Sequence, residues 1–159
     1  MRKFLLIALA VLVGGFLILQ IIPYGRNHSN PPVQREPTWP DSQTLALAER
    51  ACYDCHSNET VWPWYSNIAP VSWLVQNDVQ EGRVYLNFSE WGLGSREGAE
   101  GDEMAEVIYE GEMPPAVFLI THPEARLTDA EKQQLAQGLQ ALGGGGESGE
   151  AHEAGGDDD

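Results

Sequence analysis

A continuous run of apolar residues stands near the start of the chain. From Phe4 to Ile22 only Gln20 is polar, and two basic residues precede the run. As a helix, this run would extend about 28 Å, close to the thickness of a bilayer's hydrocarbon layer. A secretory signal peptide begins in the same way, but its apolar core is usually shorter, and Ala8–Ala10 stands too early for a cleavage site. The pattern predicts that residues 1–22 form an uncleaved membrane anchor.

Four later segments place apolar residues at helical spacing. They are Ser42–Cys52, Val71–Leu86, Asp102–Tyr109 and a segment from Thr128 to Gly143. The fourth begins with a Thr-Asp-Ala-Glu capping box, in which Thr128 and Glu131 can each satisfy a free backbone N–H group. Glycines at 111 and 143 are typical helix ends. Because no segment alternates convincingly between polar and apolar residues, the pattern predicts an all-α fold.

Two segments lack the residues that could form a core. Residues 23–40 contain five prolines among polar residues and read as an extended tether. Residues 143–159 are rich in glycine and hold six acidic residues, which predicts a disordered acidic tail. Residues 41–142 remain as the folded domain, which is small for an independent core.

The charge of the chain restricts its partners. The formal net charge is −15, which argues against nucleic acid and suits a basic redox partner protein, although solubility alone would also explain it. The basic residues at the N-terminus favour the cytoplasmic side of a membrane. We therefore expect the domain to lie on the outer, periplasmic or extracytoplasmic, face of the inner membrane.

The segment with the most specific chemistry is Cys52-Tyr53-Asp54-Cys55-His56. Cys-x-x-Cys-His is the attachment pattern of haem c. Two thiols three residues apart on a helical turn can both reach the vinyl groups of one porphyrin. The imidazole of His56 can then bind the iron as the proximal ligand.

Other uses of the two cysteines fit the sequence less well. A disulfide or redox-active pair is possible in an exported protein, but a thioredoxin-like motif would accompany a βαβ pattern, which is missing. A zinc site typically uses four ligands, and the chain has no third cysteine. The motif therefore predicts one covalently attached haem c.

The ligand on the opposite face of the iron is less specified. Met113 precedes Pro114-Pro115, and two prolines stiffen the loop that could hold its thioether against the iron. His122 is the alternative ligand, although it could instead cap the last helix through a local hydrogen bond. Met104 is expected in the core. Two further histidines, in the tether and in the tail, are expected to be solvated: His28 and His152.

Several aromatic and basic residues stand near the motif. Aromatic side chains could cover a haem or enlarge a small core; they are Trp62, Trp64, Tyr65, Trp73, Phe88 and Trp91. Arg83 and Arg126 could pair with haem propionates, but we expect them to form surface ion pairs.

Together these residues resemble a family of small exported haem-binding domains related to class I cytochromes c. The resemblance runs through Cys52–Thr60, Pro63–Ser66, Pro70–Trp73, Gly82-Arg83, Leu86–Trp91, Met113–Pro115, His122–Ala125 and Leu127-Thr128. It implies a cytochrome c-like helical fold around one haem, attached by Cys52 and Cys55, with His56 proximal and Met113 distal. Phe118 stands where relatives often have tyrosine, so a hydroxyl contact there is missing.

The sequence thus predicts a membrane-anchored electron carrier. A His/Met pair leaves no open iron position, which suits electron transfer better than substrate chemistry, and we expect the chain not to be an enzyme. The alternative is a haem-based sensor or peroxidase-like enzyme, in which Met113 is structural and the sixth iron position is open. A haem-free thiol-redox module is a third, weaker interpretation.

Overall fold

The apolar run near the N-terminus forms a helix with no partner inside the protein. A computed structural model describes residues 1–93 and 100–143. Helix α1 spans Arg2–Leu19, and none of its residues is buried. Its length and mean hydropathy of 2.2 allow it to cross a membrane. A helix that exposes apolar side chains on every side is stable in lipid rather than in water.

The described residues form helices, two short 3₁₀ turns and one isolated bridge, with no strand among residues 1–93 and 100–143. After α1 come α2 (Ser42–Ala51), α3 (Tyr53–His56), α4 (Val71–Tyr85), α5 (Gly101–Tyr109), α6 (Phe118–Thr121) and α7 (Asp129–Gly143), with 3₁₀ turns at Trp64–Asn67 and Pro123–Ala125. The all-α prediction is confirmed. Of the helices after α1, the four longer ones begin and end within one residue of the predicted positions, whereas α3 and α6 are too short to show a period. The predicted tail lies outside the described residues beyond Gly143.

The chain divides into two compact units. The first contains the described residues of Met1–Glu36 and Tyr53–Arg96, and the second those of Pro37–Cys52 and Glu97–Asp159. The chain passes from the second unit to the first at the Cys52–Tyr53 peptide bond, inside the Cys-x-x-Cys-His motif.

The core of the second unit lies where α7 packs against α2 and α5. The fully buried residues here include Ala48, Leu135 and Ala136. Two glycines let the backbones approach closely: a side chain at Gly138 would collide with Thr44, and one at Gly101 would meet the Gln140 carbonyl at 2.5 Å. Met104 is 4% exposed, as its predicted core role requires.

An ion pair joins α2 to the start of α7. The Arg50 guanidinium donates to the Glu131 carboxylate, which also accepts hydrogen bonds from the Thr128 N–H and hydroxyl at 2.8 and 2.9 Å. The predicted capping box is therefore present. The hydrogen bonds from Thr128 and Arg50 lower the pKa of Glu131 from 4.5 to about 2.

Residues 28–30 of the proline-rich segment are hydrogen-bonded to α4 and to the 3₁₀ turn at Trp64–Asn67. Arg83 donates hydrogen bonds to four uncharged oxygens, those of Ser57 O, Thr60 Oγ1, Ser29 O and Asn30 Oδ1. The expectation of a surface ion pair at Arg83 was wrong, because its partners are backbone and amide or hydroxyl oxygens. His28, expected to be solvated, stacks on Trp62 at 4.5 Å between ring centroids and bonds the Ser66 carbonyl through Nε2 at 3.1 Å.

The lowered pKa of Glu131 predicts a specific loss of stability in acid. A carboxyl whose pKa falls on folding stabilises the protein fully above its unfolded pKa and less as pH falls through the folded value. We expect Glu131→Gln to flatten the fall in stability between about pH 4.5 and about pH 2. Denaturant midpoints measured across this range check it, with Glu49→Gln on the exposed side of α2 as control. An unchanged slope in Glu131→Gln would contradict the role of the pair.

Candidate functional site

The Cys-x-x-Cys-His motif lies at a break between two helices. Helix α2 ends at Ala51, and the Cys52 N–H still donates to the Ala48 carbonyl at 2.8 Å. The Cys52 backbone then leaves the helical conformation, with φ −125° and ψ −36°, and α3 follows directly. Cys55 and His56 thus share one helical turn, and Cys52 stands just before it.

The two residues between the cysteines have separate structural roles. Tyr53 is buried and stacks on Phe88 at 5.6 Å between ring centroids. Asp54 binds the segment after the motif: its carboxylate accepts from the Val61 N–H and its carbonyl from the Thr60 hydroxyl, both at 2.8 Å. The turn is therefore fixed by the contact of Tyr53 with Phe88 and by the hydrogen bonds of Asp54 with Thr60 and Val61. The Cys-x-x-Cys-His spacing does not encode these contacts.

The imidazole of His56 is oriented by the C-terminal end of α4. Its Nδ1 atom lies 3.0 Å from the Gly82 carbonyl oxygen and 3.1 Å from that of Leu86. A carbonyl oxygen can only accept, so Nδ1 carries the proton, and in the neutral ring Nε2 has the free lone pair. Burial lowers the pKa of His56 from 6.5, which favours that neutral form. This is the tautomer that a histidine needs to bind a metal through Nε2.

The glycine that supplies one of these carbonyls also allows the close approach. A Cβ atom at Gly82 would lie 2.5 Å from the Cys55 carbonyl oxygen and 3.0 Å from its Cβ. Real side chains do not come this close, so only glycine lets α4 contact α3 at this point.

The environment of Cys55 bears on the thiol-redox alternative. Burial, with Asp78 and Asp54 nearby, raises the pKa of the Cys55 thiol from 9.0 to about 12. A reactive redox cysteine needs a lowered pKa, because the thiolate is the nucleophile. In residues 1–93 and 100–143, no three His, Cys, Asp or Glu side chains converge as a metal-binding group.

Met113 follows a well-defined helix end in the second unit. Helix α5 ends in a Schellman motif: Gly111 has φ +74°, its N–H donates to the Ile108 carbonyl, and the Glu112 N–H donates to that of Val107. The Met113 N–H also donates to the Val107 carbonyl, at 3.1 Å. Its backbone is therefore bonded to α5, and its side chain is half-buried.

His122 also lies in the second unit and makes local contacts. Its ring stacks on Phe118 at 3.8 Å between centroids, and Nδ1 lies 3.1 Å from the Phe118 carbonyl oxygen. The local hydrogen bond considered for His122 is thus present, but it caps α6 rather than the last helix. Arg126 donates to the Leu119 carbonyl at 2.9 Å, so α6 is bonded to the residues that follow it.

The family to which the chain belongs follows from a comparison with known proteins. Residues 14–141 match the model of a haem-binding domain, and this match covers most of the chain. The chain belongs to the haem-binding domain family. No curated protein and no solved structure matches it significantly.

The residues of this haem-binding domain fit the group that the family implies. His56 presents a neutral imidazole whose Nε2 can bind iron. Phe88 is 1% exposed and stacks on Tyr53 and, at 6.0 Å, on Trp91, so a buried aromatic cluster adjoins the motif. Nitrogen ligands of this kind suit haem iron. Cys55 and His56 lie together in the first unit. Met113 and His122 belong to the second unit, and so does Cys52, the last residue of the segment Pro37–Cys52.

Some residues of the site could not be assigned from the sequence. The carbonyls of Gly82 and Leu86 orient His56, and Arg83 bonds the Ser57 carbonyl directly after it at 2.8 Å. A glycine inside an otherwise helical pattern was the only local signal, since such glycines often mark a close backbone approach.

Substituting Gly82 tests whether the close approach holds the motif. We expect Gly82→Ala to cost about 1–3 kcal/mol of stability, because the added methyl group must displace α3 or α4. Because the Gly82 carbonyl would move away from His56, we also expect the variant to retain less haem per polypeptide. Thermal unfolding and haem-to-protein ratio measure both effects, and Val84→Ala, at a site that is 53% exposed, is the control. Normal stability and haem content in Gly82→Ala would show that the contact is dispensable.

Proposed function

We propose that this haem-binding domain is a mono-haem c-type cytochrome, related to class I cytochromes c, that transfers single electrons outside the cytoplasm. The observation that carries the proposal is the hydrogen bonding of His56. In a Cys-x-x-Cys-His motif, its Nδ1–H group is engaged by two carbonyls, which leaves Nε2 to bind iron.

The residues of the motif would hold the haem in two ways. Cys52 and Cys55 would each form a thioether by adding the S–H group across a vinyl group. His56 would bind the iron, and its hydrogen bonds make the imidazole a more basic ligand and fix the orientation of the ring. When bound, the haem supplies an iron that cycles between two oxidation states.

Met113 is the residue we propose as the second axial ligand. Its backbone is bonded to the end of α5, and Pro114 and Pro115 prevent the helix from resuming. A thioether ligand raises the reduction potential and occupies the remaining iron position. These properties support an electron carrier rather than an enzyme.

The N-terminal helix and the charge support a proposal for the site of action. We propose that α1 anchors the protein in the inner membrane and that the haem-binding domain lies on its outer face, where covalent haem attachment takes place. With a formal charge of −15, the chain would attract a basic redox partner. The same charge disfavours nucleic acid.

Optical spectra of the full-length protein, oxidised and reduced, test this function, together with haem staining after denaturation. We expect stained haem that survives denaturation, low-spin bands, and the weak far-red band of a methionine–iron bond. Covalent haem with high-spin bands would instead support the sensor or peroxidase-like alternative with an open sixth position. No stained haem after expression with the attachment machinery would refute the proposal.

Replacement of each internal methionine tests the second ligand. We expect Met113→Ala to produce high-spin iron and to lower the reduction potential, because the thioether is lost. Met104→Ala is the matched control: Met104 is buried in α5, so its loss should cost about 2–5 kcal/mol of stability without changing the spin state. A low-spin Met113→Ala variant that becomes high-spin when His122 is also replaced would assign the ligand to His122.

A further inference from the structure

Hydrogen bonds connect the N-terminal helix to the rest of the first unit. Gln20, directly after α1, donates from Nε2 to the Ala69 carbonyl at 2.9 Å and to the Phe16 carbonyl at 3.2 Å. Its Oε1 accepts from the Ala69 N–H at 3.1 Å and from Arg26 at 2.9 Å. Both donors and both lone pairs of the amide are thus used. The polar residue that interrupts the apolar run joins α1 to the residues just before α4.

The next turn strengthens this junction. Gly25 has φ +78°, and a side chain there would collide with the Ser72 carbonyl in the first turn of α4. Tyr24 donates from its hydroxyl to Gln80 Oε1 at 3.4 Å. Residues 20–26 therefore contact the segment before α4 and two residues of that helix, Ser72 in its first turn and Gln80 in its second half.

The segment that Gln20 binds is unusual in this acidic chain. Residues 61–77 contain no Asp, Glu, Lys or Arg, and three of the five tryptophans lie there. Residues 4–25 are also without charge. The two segments that meet at the junction are therefore both neutral, in a protein with a formal charge of −15.

Apolar side chains at this junction are exposed to solvent. Trp64, in the 3₁₀ turn that packs against α4, is 75% exposed, and Val71 and Leu74, three residues apart on one face of α4, are 43% and 48% exposed. Ile21 and Ile22, which directly follow the Gln20 that bonds Ala69, are 78% and 44% exposed. We call these five residues the junction patch. Exposed apolar patches of this kind mark interaction sites.

We propose that the junction patch lies in the interfacial layer of the bilayer that α1 spans, so that the first unit rests on the membrane in one orientation. The inference depends on the membrane anchor of the proposed function. Gln20 bonds the end of α1 to Ala69, two residues before Val71, and this connection would place the patch at the level where α1 leaves the hydrocarbon. Tryptophan and tyrosine favour that level, because their rings are apolar and their N–H or O–H groups remain hydrated.

The patch has no charged residue, and this indicates which lipids it would contact. A surface that recognised anionic lipid would carry several lysines or arginines, and residues 61–77 have none. The contact we propose is therefore with the acyl-chain and glycerol region of a zwitterionic lipid such as phosphatidylcholine. It requires no anionic lipid and should persist at high salt.

Photocrosslinking of the full-length, haem-loaded protein tests this placement. The protein is reconstituted in phosphatidylcholine vesicles that contain a phosphatidylcholine with a diazirine near the top of its acyl chain, and lipid adducts are mapped by peptide mass spectrometry. We expect adducts on α1 and on residues 61–77, at low and high salt alike. Val84 and Tyr85, which are 53% and 62% exposed at the other end of α4, serve as internal controls and should carry none.

Three variants make the test specific. Leu74→Glu should remove most adducts from residues 61–77, whereas Val84→Glu should leave them unchanged. Gln20→Leu keeps α1 apolar but breaks the junction, so it should lower the adducts on residues 61–77 while those on α1 persist. Equal adduct levels in Gln20→Leu and the unaltered protein would overturn the role of the junction.

The outcomes separate this inference from the proposed function. Adducts on α1 without any on residues 61–77 would overturn the inference and leave the anchor intact; a patch that binds a second copy or another protein would give this result. Adducts of equal yield on Val84 and Tyr85 would also overturn it. Absence of adducts from α1 itself would instead refute the anchor, whereas the spectroscopic test of covalent haem does not depend on either result.

Discussion

The hydrogen bonds from the His56 ring to the end of α4 are the contact on which the site depends. The carbonyls at the C-terminal end of a helix carry partial negative charge and attract a donor. The Gly82 carbonyl already accepts from the Leu86 N–H at 2.9 Å, and the His56 Nδ1–H group is a further donor to it and to the Leu86 carbonyl. The same contact sets the tautomer of the imidazole. One interaction thus joins the motif to the end of a helix and prepares a metal ligand.

The C-terminal half of α4 brings three further contacts to the same place. Gly82 permits the close approach of the backbone, Arg83 bonds the carbonyl of Ser57, and the Phe88 N–H just beyond the helix donates to the His56 carbonyl at 2.8 Å. Arg83 also binds Ser29 and Asn30. The residues that hold the candidate iron ligand are therefore bonded to the segment that leads from the N-terminal helix. Arg83 therefore links that segment directly to the residue after the motif.

The two residues between the cysteines of the motif have structural roles, although the motif itself is typical of haem attachment. Tyr53 points into the core, whereas Asp54 bonds the backbone that follows, so the spacing between the cysteines is filled by residues with structural roles. Burial, with Asp78 and Asp54 nearby, raises the pKa of the Cys55 thiol to about 12, the opposite of the shift that a redox-active cysteine needs.

The sequence by itself determined the features that depend on neighbouring residues. The apolar period predicted the four longer helices, the capping box predicted the start of α7, and the spacing of Cys52, Cys55 and His56 predicted the chemistry, because each is encoded within a few residues. Haem binding is supported by the match of residues 14–141 to the haem-binding domain. The covalent bond and the Met113 ligand remain predictions.

The tertiary structure alone decided which distant residues meet. His56 and its carbonyl partners are 26 and 30 residues apart, Arg83 and Ser29 are 54 apart, and Gln20 and Ala69 are 49 apart. No local pattern encodes such pairs, because a hydrogen bond between distant residues depends on how the helices pack and not on their period. For the same reason the proline-rich sequence, which indicated an extended tether, could not predict the hydrogen bonds of residues 28–30 with Ser66, Arg83 and Thr60.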